Sequence, residues 1–139
     1  MLADSPLATV IPCVDLARAR EFYGNTLGLT ELDIVMPEGP DGEPGGIGYQ
    51  CGDNTMLFVY VRDVPTKAEH TVAAWMTNEF DAVVNDLLER GLKFEVYEGM
   101  PDTEWDARGV ASLSGGFRIA YLKDPEGNIL AIDEMPGRQ

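Results

Sequence analysis

The sequence predicts an α+β chain built from two tandem βαβββ modules, and three observations predict it. A β-branched run followed by a helix-period stripe occurs twice: Leu16, Ala19 and Tyr23 recur as Phe80, Val83 and Leu87, each 64 residues further on. After each stripe come three more short apolar runs of strand composition. Each stripe ends at a glycine, Gly28 and Gly91, where a helix is readily stopped.

Residues 9–14 (TVIPCV) read as the first strand. From Asp15 the period changes, with Leu16, Ala19, Phe22, Tyr23 and Leu27 three or four apart on one face, which predicts a helix over 16–27 with Asp15 as N-cap. Residues 29–36 (LTELDIVM), 46–51 (GIGYQC) and 55–61 (TMLFVYV) are the next strands. The run 62–69 is the linker. Residues 71–77 (TVAAWMT) open the second module, and Phe80, Val83, Val84, Leu87 and Leu88 predict a helix over 80–90. Residues 92–98 (LKFEVYE), 117–122 (FRIAYL) and 128–132 (NILAI) complete it. Two Gly-, Pro- and acid-rich stretches, 37–46 and 100–109, read as loops. The modules therefore span 7–63 and 70–134 of a single domain, 1–139. Between the last two strands, Asp124-Pro125-Glu126-Gly127-Asn128 carries the residues of a tight hairpin turn.

Twenty-four acids against ten Lys and Arg leave a formal charge of −14. That field repels nucleic acid and anionic membrane and attracts cations. No leader pattern opens the chain, and no apolar run nears the roughly 20 residues of a membrane span, so a cytoplasmic protein is expected. Cys13 and Cys51 have neither CxxC nor Cys/His spacing and read as reduced thiols. The glycines of LSGGF (113–117) open no strand-to-helix phosphate loop.

The tandem βαβββ pattern, with DLARAREFYGNTLGL (15–29) in one half and DPEGNILAI (124–132) in the other, resembles the vicinal oxygen chelate superfamily. That group includes glyoxalase I, extradiol dioxygenases and the bleomycin and fosfomycin resistance proteins. The resemblance covers residues 7–134 and implies two curved sheets forming an incomplete barrel around a ligand cavity. It also implies homodimerisation. Metal-binding relatives place four ligands on the cavity strands; those positions fall at Ala8, at Leu57 or Phe58, at Val72 or Thr71, and at Ala131. Methyl and phenyl groups offer a metal no lone pairs, so no metal and no cofactor are expected. His70, the sole histidine, cannot build a site alone. Glu69, Asp133 and Glu134 are expected to reach it only if the strands slip out of register.

An apolar wall suits an organic ligand. The candidate ligand-binding residues are Val10, Leu57, Phe58, Val72, Ala74, Trp105, Tyr121 and Ala131; no catalytic residue is assigned. Trp105 lies among Asp102, Glu104 and Asp106, an arrangement suited to a planar or cationic molecule. The leading expectation is a metal-free binding protein sequestering an aromatic or cationic compound, an antibiotic for instance. The alternative is a divergent enzyme of glyoxalase, dioxygenase or isomerase type, for which the fold alone speaks.

Overall fold

The computed structural model describes residues 1–39 and 41–135. They fall into two units, Met1–Lys67 with Pro125–Gly127, and Ala68–Asp124 with the chain from Asn128 onward. Each unit is an open mixed sheet with one principal helix, so the class is α+β.

Unit 1 holds β1 (Ala8–Cys13), α1 (Leu16–Arg20), β2 (Thr30–Glu31), β3 (Gly46–Cys51) and β4 (Thr55–Val61), ordered β1-β4-β3-β2. β1 runs parallel to β4 and the other pairs are antiparallel. The Asp15 carboxylate accepts from Arg18 N at 3.0 Å and caps α1. The helix then widens into a π-helical stretch, Glu21–Thr26, in which Leu27 N donates to Phe22 O at 2.9 Å. Gly28, at φ 74°, ends it. The helical stripe buries Ala19 and Tyr23 against Ile11, Cys13, Ile47, Tyr49, Leu57 and Val59, none more than 2% exposed. Burying each large apolar side chain contributes roughly 1.5–3 kcal/mol.

Of the predicted strand over 29–36, only Thr30–Glu31 is strand. Gly48 is the physical reason: a Cβ there would lie 2.8 Å from the Ile34 side chain, and one on Gly46 would lie 3.0 Å from Met36. Residues 34–36 cross the sheet face above these two glycines instead of lengthening its edge.

Tyr49 stacks against Tyr23 with centroids 6.1 Å apart, yet its buried hydroxyl has no hydrogen-bond partner among the described residues. Burial, reinforced by the Glu31 charge, pushes the phenol up to about 12. Below pH 10 both folded and unfolded states keep this proton, so Tyr49 adds no pH dependence to stability there. Above pH 10 the unfolded chain ionises first, and stability falls until the folded group titrates near 12, a total of ~3 kcal/mol. Tyr49→Phe is therefore expected to raise stability at pH 8 by about 1 kcal/mol and to flatten the alkaline limb; urea midpoints at pH 8 and pH 11 measure both.

Unit 2 holds β5 (Thr71–Thr77), α2 (Phe80–Glu89), β6 (Glu104–Trp105), β7 (Val110–Ser112), β8 (Arg118–Lys123) and β9 (Ile129–Glu134), ordered β5-β9-β8-β7-β6. α2 buries Phe80, Val84 and Leu87, and Gly91, at φ 89°, ends it. Arg118 on β8 ties the helix start to the sheet. It donates to both Asp81 oxygens at 2.9 Å and to Glu134 at 3.1 Å, and it lies 4.7 Å over the Phe80 ring. Hydrogen bonds from Arg118 and Arg108 hold the Asp81 carboxyl below its ordinary value.

Two expectations fail in this unit. Residues 92–98 form no strand, and their backbone pairs with the sheet through one isolated bridge, Glu95 to Tyr121. Val110–Ser112 already occupies the outer edge of β8 from Arg118 to Ala120, which leaves Tyr121 free to pair. Conversely, the expected loop 100–109 contributes β6, whose Trp105 pairs with Ala111.

Candidate functional site

Directly paired residues share a sheet face, and so do residues two apart along a strand. The pairs Trp105–Ala111, Ala111–Ile119, Ile119–Asp133 and Asp133–Met76 run in one row across unit 2; Tyr121, Ala131 and Ala74 form the next. Both rows lie on the face away from α2, since Ala120, Leu122, Leu130 and Ile132 alternate with them into the core.

Three aromatic rings gather on this face. Tyr121 meets Tyr97 edge-on at 5.3 Å between centroids and meets Trp105 at 6.4 Å. Ala131 and Ala111, on the same face, are 2% and 0% exposed. Asp133 stands diagonally from Tyr121. Its Oδ1 is buried without a hydrogen-bond partner among the described residues, and so is the Tyr97 hydroxyl. Burial pushes the Asp133 carboxyl above its ordinary value. Tyr121 is raised by burial and then by the Asp133 charge; Tyr97 is raised by burial, then by Glu95 and by Tyr121. Buried polar atoms are nearly always paired, and two of the orphans among the described residues lie on this one aromatic face.

Of the predicted site residues, Ala74, Trp105, Tyr121 and Ala131 come together on this face of unit 2. Val72 sits at a β-bulge, where the register shifts between Thr71 and Ala73. Val10 and Phe58 pair on the corresponding face of unit 1, with Val10 58% exposed. Leu57 does not join them: it pairs with Tyr49 on the helix-packed side and is 2% exposed. Tyr97 and Asp133 are absent from the sequence-derived candidates. The signal for Asp133 was available, because it lies two residues after Ala131 and shares its face with no slip of register. The expectation that it needed one is wrong. Asp106 is also spoken for, accepting from Val110 N at 3.0 Å and from Arg108 N at 2.8 Å.

The metal positions implied by resemblance hold Ala8, Phe58 or Leu57, Val72 or Thr71, and Ala131, whose side chains do not form a metal-ligand set. His70 is exposed. Among the described residues no three His, Cys, Asp or Glu side chains are grouped to hold an ion. The residues present do not fit the family's metal. Nor is any helix among the described residues long and apolar enough to cross a membrane.

The model of the Glyoxalase/Bleomycin resistance protein/Dioxygenase superfamily matches residues 6–132. No curated protein matches the chain. Among solved structures, TnmS3, an antibiotic binding protein from Streptomyces sp. CB03234, is 24% identical with a TM-score of 0.65, covering 98% of this chain and 99% of its own. A glyoxalase family protein from Enterococcus faecalis is 18% identical with a TM-score of 0.68, covering 96% of this chain and 100% of its own. Lactoylglutathione lyase from Agrobacterium tumefaciens is 19% identical with a TM-score of 0.57, covering 94% of this chain and 93% of its own. These likenesses agree with the two open mixed sheets in fold, and the matched span takes in nearly every element described. The chain belongs to the Glyoxalase/Bleomycin resistance protein/Dioxygenase superfamily.

Proposed function

We propose that this chain is a metal-free binding protein that sequesters a small planar aromatic compound. The observation that carries the reading is the aromatic face of unit 2, where Tyr97 and Trp105 both pack on Tyr121 beside the unpaired Asp133 oxygen. Rings supply broad apolar area and a few polar atoms set orientation, which is the make-up of small-molecule sites. The similarity to an antibiotic binding protein supports a sequestering role, and the poor fit to a metal speaks against the metal-dependent reactions of the superfamily.

Titration of planar aromatic compounds is expected to quench Trp105 fluorescence and raise the unfolding midpoint. A ligand at about 100 times its Kd should stabilise by ~2.7 kcal/mol. The reading falls if no such compound binds, or if the protein isomerises a glutathione hemithioacetal, which would establish the enzymatic alternative. We further propose a cytoplasmic homodimer. Cys13 and Cys51 form no disulfide among the described residues, which supports a reducing compartment, and symmetric dimers are the commonest oligomers. Light scattering giving a monomer mass at micromolar concentration would remove the dimer.

A further inference from the structure

We propose that Asp133 selects the ligand, by accepting a hydrogen bond from a protonated nitrogen on the planar molecule held against Tyr97, Trp105 and Tyr121. This rests on the aromatic-ligand reading and adds to it the ligand's charge and the residue that reads it.

The placement is specific. Asp133 is paired with Ile119 on one side and Met76 on the other, and neither offers a donor. Tyr121 is its diagonal neighbour. Lys123 is two residues further along β8, paired with Ile129, and is exposed. Arg118, the cation nearest in sequence register, lies on the opposite face with Asp81 and Glu134. The carboxylate thus lies beside Tyr121 with its Oδ1 buried and unpaired among the described residues, a costly arrangement unless something supplies a donor. A metal ion is a poor candidate, because among the described residues no group of three or more His, Cys, Asp or Glu side chains is placed to hold one. A neutral planar molecule without an N–H or O–H would satisfy the rings and leave the oxygen orphaned, and a neutral donor would make a weaker bond than a charged one. An anion would be repelled both by Asp133 and by the chain's −14 charge. A protonated amine or amidine on an aromatic frame satisfies both, since the ring faces attract cations and the carboxylate completes a charge-assisted hydrogen bond.

Three probes of similar outline separate the terms in calorimetry on the full chain: 9-aminoacridine, a cation at neutral pH; acridone, which is neutral and offers only an uncharged N–H; and anthraquinone-2-sulfonate, an anion. At 0.5 M salt, where long-range attraction from the surface acids is screened, 9-aminoacridine is expected to bind roughly tenfold tighter than acridone. Asp133→Asn should remove that preference while leaving acridone affinity within about twofold. It should also leave the unfolding midpoint unchanged or higher, because it removes the charge from a carboxylate whose Oδ1 is buried without a partner among the described residues. Asp102→Asn makes the same change in net charge at an exposed loop position and should keep the preference intact.

If acridone or the sulfonate binds as tightly as 9-aminoacridine, or if Asp133→Asn leaves the ratio where it was, Asp133 is not the selecting residue, although the aromatic-ligand reading stands. Equal losses in Asp133→Asn and Asp102→Asn would trace the preference to bulk charge and overturn the proposal as well. If none of the three probes binds, the aromatic-ligand reading falls and the proposal with it.

Discussion

Glu126→Ala is expected to destabilise the protein by about 1–3 kcal/mol, the cost of leaving its hydrogen-bonded partners without an acceptor. Glu126 stands in the turn Asp124-Pro125-Glu126-Gly127-Asn128, where Gly127 takes φ 93°. Asn128 N and Nδ2 donate to the two Asp124 carboxylate oxygens at 2.9 and 2.8 Å, which braces the turn from within. Within unit 1, the Glu126 side chain is 3% exposed and accepts from Val14 N at 3.0 Å, from Asp15 N at 3.3 Å and from Arg18 Nη2 at 2.7 Å. One carboxylate therefore serves two backbone donors where β1 gives way to α1. Truncation would leave both N–H groups with no acceptor there. Arg18 is half exposed and keeps access to water, so Arg18→Ala should cost less, ~1 kcal/mol.

The same site carries a pH signature. Burial alone would push the Glu126 carboxyl up, but the Arg18 guanidinium and the two backbone donors more than offset it and hold it below its ordinary value. A carboxyl with a depressed folded pKa stabilises above its unfolded value, about 4.3, and loses that contribution as pH falls through the folded pKa. Glu126→Ala should accordingly narrow its stability gap to the parent protein below pH 4. Urea midpoints from pH 7 to pH 3 test both points; a loss under 1 kcal/mol at pH 7, or a gap independent of pH, would show that Glu126 does not hold this junction.

How much of this was legible follows from where the determinants lie. Local chemistry was readable: the Asp15 cap, the stops at Gly28 and Gly91, and the strands Gly46–Cys51, Thr55–Val61 and Thr71–Thr77 appear as the pattern predicts. The misreadings were competitive. LKFEVYE alternates well enough for a strand, yet Val110–Ser112 takes most of the edge it would need, and which of two segments wins an edge is a tertiary matter. LTELDIVM fails because Gly46 and Gly48 accept Met36 and Ile34 across the sheet face, a packing choice invisible along one strand. Leu57 and Phe58 could be separated only by the pairing of Leu57 with Tyr49. Tyr97 was hidden for a related reason: read as a strand residue, it had no register to place it over Tyr121. Asp133 differs, since strand alternation alone placed it beside Ala131.

Tyr121→Ala is expected to weaken binding of a planar aromatic probe such as acridone by roughly 100-fold, equivalent to ~2.7 kcal/mol. Tyr121 is the ring on which both Tyr97 and Trp105 pack, so its removal takes away its own face and the support that orients the other two. Trp105→Ala removes one ring contact and leaves the Tyr97–Tyr121 pair, and a loss of about tenfold is expected. Tyr121→Phe keeps the ring and should stay within about threefold of the parent, because the site asks this residue for a surface and not for a proton. Each ring contact also contributes ~0.5–1.5 kcal/mol to the fold, so binding should be measured well below the unfolding midpoint of each variant. The ordering matters more than any single value: Ala at 121 worst, Ala at 105 intermediate, Phe at 121 near the parent. If Tyr121→Phe loses as much as Tyr121→Ala, the phenol oxygen and not the ring is the binding element. Should Trp105→Ala and Tyr121→Ala both leave acridone affinity untouched, the ligand lies elsewhere and the aromatic face is ordinary sheet packing.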